Sequence, residues 1–221
     1  MRRRLAHRSL LAAGVATVAL AAGAAAGTGP TIDPDRPCYR EGTRVRLSGT
    51  GFSPGAPVSF LLDGDPLGTA TSDPEGAIVT SFDAPIVRGL TRNLRLVARD
   101  ERDTSRTATS RVKVSKLSVR ITPRAGGAPN RRVRFAARGF TRERHLYVHY
   151  LPPGDRPVRT IRLGRLRGGC GTLDRRARLI PFERPRSGRW LLRFDSRARY
   201  SSRTRPQVRL AVTVRRPPRD G

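Results

Sequence analysis

The stretch "VRLSGTGFSPGAPVSFLLDG", residues 45–64, is half-repeated further along as "VRFAARGFTRERHLYVHYL", residues 133–151. Both begin with Val-Arg and an apolar residue, reach a Gly-Phe pair, and then alternate apolar with polar side chains. Placing Gly51-Phe52 on Gly139-Phe140 sets an offset of 88 residues. At that offset Val45 falls on Val133, Leu47 on Phe135, and Val58, Phe60 and Leu62 on Leu146, Val148 and Tyr150. Leu67-Gly68 then answers Leu163-Gly164 once extra residues at "PPGDRPVR" are allowed for, and "NLRLVARD" answers "RWLLRFDS". Matched apolar positions in one order mean a duplicated unit.

The period inside each unit is two. "TRVRLSG", "APVSFLLDG", "NLRLVAR", "TSRVKV", "NRRVRFAAR", "HLYVHYL" and "QVRLAVTV" alternate over about five residues, the signature of strands buried on one face. Turn residues bound them, in "SPG", "DGD", "DPEG", "PPGD" and "RSG". Short strands at regular spacing, six or seven per unit, predict an all-β chain of two tandem Ig-like antiparallel β-sandwiches. Five structural residues follow from the pattern. Gly51 and Gly139 should let the chain turn where a β-carbon would clash, Phe52 and Phe140 should plug a sandwich end, and Trp190, matched to inward Leu94, should be buried.

The first residues read as an address. "MRRRLAHR" is a basic n-region, "SLLAAGVATVALAAGAAAG" an apolar h-region, and Ala24 and Ala26 satisfy the A-x-A rule. The expectation is an N-terminal signal peptide, residues 1–26, removed on export, with no transmembrane segment in the mature chain. The predicted organisation continues with a linker at 27–37, one domain at 38–116, a second at 117–216 with an insertion around 151–171, and a tail at 217–221. Export implies an oxidising compartment, so Cys38 and Cys170 form a candidate disulfide between the units. Such a bridge would turn the start of the first unit back against the second. Two separate thiols or an intermolecular bridge are the alternatives.

The first unit carries "GTGFSPGAPV" after its first strong strand. This resembles the "GxGFxPGxxV" signature of secreted bacterial Ig-like modules of the IPT/TIG-like kind, especially those of actinobacterial exported proteins. The second unit keeps "RGF" and the alternation after it. The resemblance implies a spacer, an adhesion unit or an accessory module of the cell envelope, and no chemistry of its own. A fainter likeness is to neocarzinostatin-like folds that carry a small molecule. Those have internal disulfides, whereas here each unit has one cysteine.

No arrangement of residues demands catalysis or a cofactor. His145 and His149 share a strand face with Tyr147, opposite inward Leu146, Val148 and Tyr150, and are expected to be solvated; a third metal ligand is missing. No serine sits in G-x-S-x-G. Asp63 and Asp65 flank Gly64 as in a hairpin turn, and "RGGCG" follows turn rules around Cys170. The formal charge is +28, or +24 once Arg2, Arg3, Arg4 and Arg8 are removed. Arg159, Arg162, Arg165 and Arg167, in "RTIRLGRLR", are the candidate contacts for an anionic polymer such as teichoic acid, acidic polysaccharide or DNA. Only two of the 45 cations are lysines, which points to GC-rich codon usage as a competing origin of the charge. Aromatic residues are only 5%, too few for the stacking platforms of a dedicated single-strand nucleic-acid binder. The expected function is a secreted, non-catalytic interaction or structural module, partnered by envelope polymers or another envelope protein.

Overall fold

The computed structural model describes residues 29–123, 131–154, 157–183 and 185–215. The expected signal peptide and the tail at 217–221 lie outside them. Described residues form strands and connections, and no helix.

In the first unit, β1 (Thr31–Pro34), β3 (Arg44–Thr50) and β6 (Ile78–Asp83) form one sheet in the order β1-β3-β6. Facing it is a sheet of β2 (Tyr39–Arg40), β8 (Thr107–Ser115), β7 (Thr91–Asp100), β4 (Pro57–Leu62) and β5 (Asp65–Thr71), ordered β2-β8-β7-β4-β5. The second unit repeats the plan. Here β9 (Ser118–Thr122), β10 (Arg132–Arg138) and β13 (Leu173–Arg178) pair as β13-β10-β9. Its other sheet runs β12 (Arg159–Arg165), β11 (His145–Leu151), β14 (Gly188–Asp195), β15 (Val208–Val214). Every pairing is antiparallel except β2 with β8.

Burial follows the two-residue period. Val45 and Leu47 on β3, Val58 and Phe60 on β4, and Leu94 and Leu96 on β7 pack into one apolar cluster. Val133, Phe135, Leu146, Val148, Trp190 and Leu192 pack into another. Each cluster draws on one unit, so each sandwich closes its own core. Trp190 is 3% exposed. Gly51 and Gly139 have φ of 84° and 82°, and a β-carbon on Gly139 would come within 2.6 Å of the Lys116 carbonyl oxygen and of Leu117 Cα. Phe52 and Phe140, next in sequence, are buried.

The expected linker at 27–37 needs correction. Residues 31–34 form β1, whose Ile32 enters the first core, and Asp35 accepts a hydrogen bond from the Tyr39 hydroxyl at 2.5 Å. One inward residue in "TIDP" gives too little alternation to announce a strand. The extra residues of the second unit lengthen the β11–β12 connection, from the two residues between β4 and β5 to seven.

Cys38 and Cys170 are joined, with Cα atoms 5.1 Å apart. The turning-back that sequence reading expects of such a bridge is unnecessary. Parallel pairing of Tyr39 with Val114 and Arg40 with Ser115 lays β2 along the end of β8, close to the crossing at Lys116. On the other side Gly139 donates to the Cys170 carbonyl, and Gly139 itself abuts Lys116 and Leu117. Both cysteines therefore reach the same junction.

Candidate functional site

Strand β12 carries three of the four candidate arginines, and its irregularity decides where they point. Strict alternation would put Arg162 and Arg165 on opposite faces. Instead Tyr147 pairs with Arg162 and Leu146 with Gly164, so Leu163 is an extra residue in a bulge. The bulge resets the parity: Leu163 is buried, and Arg162 and Arg165, opposite Tyr147 and His145, share the outer face. The first unit has the same device, with Leu67 unpaired between Pro66 and Gly68. The Leu-Gly pair repeated in the sequence is therefore a repeated bulge.

The four arginines do not form one patch. Arg159, at the far end of β12, places its guanidinium 5.8 Å from the ring centre of Phe182. Arg167 sits in the turn after β12, exchanging backbone hydrogen bonds of 2.8 Å with Thr172. Arg165 and Arg167 instead join three arginines that sequence reading does not single out. Between β12 and β13, the edge strands of the two sheets, runs a cleft of about 970 Å³ lined by Arg134, Arg138, Arg165, Arg167 and Arg175.

Two of these cations are engaged. Arg134 clamps Asp174 across the β10–β13 pair, its Nε 2.8 Å from Oδ1. The bonds from Arg134 pull the Asp174 carboxyl below its ordinary range. Arg175 donates Nη1 to the Leu163 carbonyl. Among the described residues, no carboxylate stands within ion-pair distance of Arg138, Arg165 or Arg167. The excess of positive field extends to the neighbouring outer face. Partial burial, with the guanidiniums of Arg162, Arg165 and Arg144, holds the His145 imidazole below its usual value.

A second polar cluster lies on that outer face. His149, expected to be solvated, is fully buried. Its Nδ1 is 2.7 Å from Thr160 Oγ1, its cross-strand neighbour, and its Nε2 is 3.1 Å from Asp195 Oδ1. Arg193 Nε lies 3.3 Å from Asp195 Oδ2, at ion-pair distance but without hydrogen-bond geometry. The correction has a simple cause: residues 196–207 fold over the sheet. Arg193 Nη2 donates to the Ser201 and Thr204 carbonyls, and the Tyr200 ring covers both Arg193, at 4.9 Å, and His149, at 5.5 Å. Thr160, His149 and Asp195 have the connectivity of a nucleophile–base–acid relay. The imidazole is nonetheless sealed under Tyr200, and Asp195 is shared with Arg193. Among the described residues no three metal-ligating side chains come together.

No protein-family model matches the chain, and no curated protein matches it either. Among solved structures, the human OSCAR ligand-binding domain matches with 13% identity and a TM-score of 0.36, covering 84% of this chain and 97% of that one. Fibronectin(III)-like modules of Clostridium thermocellum CbhA match with 15% identity and a TM-score of 0.28, covering 83% and 94%. The fold is carried by strand order and register: each unit is an Ig-like β-sandwich of two facing sheets.

Proposed function

We propose that the chain is an exported, non-catalytic interaction module of a bacterial cell envelope, whose second unit holds an anionic polymer in the cleft between β12 and β13. The observation that carries this reading is the set Arg138, Arg165 and Arg167, gathered in one cleft without carboxylate partners among the described residues. Guanidinium forks suit phosphate, sulfate and carboxylate groups in bidentate geometry. The distribution of charge supports the same reading. Residues 27–116 hold 13 basic side chains against 11 acidic, whereas residues 117–221 hold 28 against six. Codon usage acts on the whole chain, so it explains arginine in place of lysine but not this contrast between halves. The buried state of His149 under Tyr200 supports a module without catalysis.

The test is a titration of heparin, DNA and teichoic acid at low and physiological salt. It compares wild type with an Arg138→Gln/Arg165→Gln/Arg167→Gln variant. Counterion release makes all three polymers bind at low salt and weaken as salt rises. A built site keeps one polymer bound at physiological salt and loses it in the variant. If the three dissociate together, and the variant falls only in proportion to its lost charge, the chain is an unselective cation and the reading fails.

A further inference from the structure

At the other end of β12 lies a pocket with different chemistry. It has a volume of about 660 Å³ and is lined by Pro152, Pro153, Val158, Arg159, Phe182 and Arg186, with Trp190 at its floor. That volume is within the roughly 300–1,000 Å³ of small-molecule sites. Phe182 stacks on Trp190 at 5.5 Å and 28°, and Tyr150 meets Phe182 edge-on at 5.5 Å. The aromatic group is thus fixed from beneath. Trp190 Nε1 donates to the Arg186 carbonyl at 2.8 Å, so the indole beneath Phe182 is satisfied and held in place. Val158, at 57% exposure, is an apolar side chain left open to solvent at the rim.

The rim is cationic. Arg159 lies over the Phe182 ring, and Arg186 faces the same space. Among the described residues neither has a carboxylate within ion-pair distance. A neutral apolar guest would leave these guanidiniums unused, and a small anion would leave the walls wet. A flat aromatic ring bearing an acid satisfies both, with its ring against proline and phenylalanine and its carboxylate on the arginine forks. From this combination of stacked aromatic floor, apolar wall and arginines without a carboxylate partner among the described residues, we infer that the second unit binds a small aromatic acid in the pocket lined by Pro152, Pro153, Val158, Arg159, Phe182 and Arg186. The inference is independent of the polymer-binding reading, because the two sites share no residue.

Trp190 is the only tryptophan, so its indole N–H gives a single resonance that reports on the pocket floor. The probes are 1-naphthoate, the neutral isostere 1-naphthalenemethanol, and acetate, titrated at physiological salt with calorimetry in parallel. Saturable one-to-one binding of naphthoate that shifts the indole resonance is expected, at least tenfold tighter than either control. An Arg159→Gln/Arg186→Gln variant should lose at least tenfold, and Val158→Asp should abolish binding. Both alter exposed side chains, and a dispersed indole resonance verifies the fold. The Arg138/Arg165/Arg167→Gln variant should bind naphthoate as wild type does. Absence of a saturable response, equal binding by the Arg159/Arg186 variant, or loss in the cleft variant instead would overturn the assignment.

Discussion

His149 Nε2 lies 3.1 Å from Asp195 Oδ1 with neither side chain exposed, while Arg193 approaches the other carboxylate oxygen at 3.3 Å. One buried carboxylate thus serves two side chains, and the Arg197 amide at 2.8 Å as well, on the outer face of a sheet, where solvent would ordinarily do so. Removing ions from water costs several kcal/mol each, and the Ser201 and Thr204 carbonyls and the Tyr200 ring replace part of that solvation. The arrangement binds the 196–207 loop to the sheet.

Asp195→Ala should therefore destabilise the second unit by about 3–5 kcal/mol, because it strands the Arg193 guanidinium. An Arg193→Met/Asp195→Leu double variant should recover much of the loss, since no ion then remains unpaired. Urea unfolding followed through Trp190 measures both. A loss below about 1 kcal/mol for Asp195→Ala, the scale of a solvated surface pair, would refute the view of a dry cluster.

Asp100 closes the end of β7 in the first unit. Burial raises its pKa, but hydrogen bonds from the Ser53, Arg102 and Asp103 amides outweigh this and hold it at about 2. A depressed pKa means the stabilisation is complete above the unfolded value of about 3.9 and is lost as pH falls through the folded one. The melting temperature of the first unit should fall between about pH 4 and pH 2, and Asp100→Asn should flatten that part of the profile. An unchanged acid limb in the variant would assign the acid sensitivity elsewhere.

Denatured, unreduced monomer should show no reactive thiols, and two after reduction. Two before reduction would dismiss the Cys38–Cys170 bridge. A Cys38→Ser/Cys170→Ser variant should keep both cores, because each sandwich closes its own. Its loss of stability should not exceed the chain-entropy figure of about 5 kcal/mol for so long a loop.

Export should leave a mature chain beginning at Gly27. The intact mass of protein recovered outside the producing cell decides this, and a full-length chain retained in the membrane would contradict it.

Strands that bury one face against a core were legible, because their alternation is the burial itself. β3, β4, β7, β8, β10 and β15 all carry it, whereas β11 and β14 are buried on both faces where the 196–207 loop covers them. β5 and β13 were not legible, since edge strands such as "DPLGTAT" and "LDRRAR" expose most of their side chains. The cleft was half legible. Arg165 and Arg167 stand out as a run, but Arg134, Arg138 and Arg175 lie on the other sheet and join them only where the edges of the two sheets meet. The burial of His149 has no local signal at all. The usable clue was loop length: 12 residues join β14 to β15 where six join β7 to β8, and the longer loop contains Tyr200. A connection that long is seldom idle in a hairpin.

The bridge at the junction also sets how the molecule would answer a pull. Cys38 and Cys170 are 132 positions apart in sequence. Tension applied between the two chain ends would cross from one to the other through sulfur and bypass everything between. On the order of 450 Å of extended chain, at about 3.4 Å per residue, would stay out of the line of force. That sheltered segment holds all of β2 to β12, every strand of the first sandwich but β1, and only β1 and β13 to β15 would bear load.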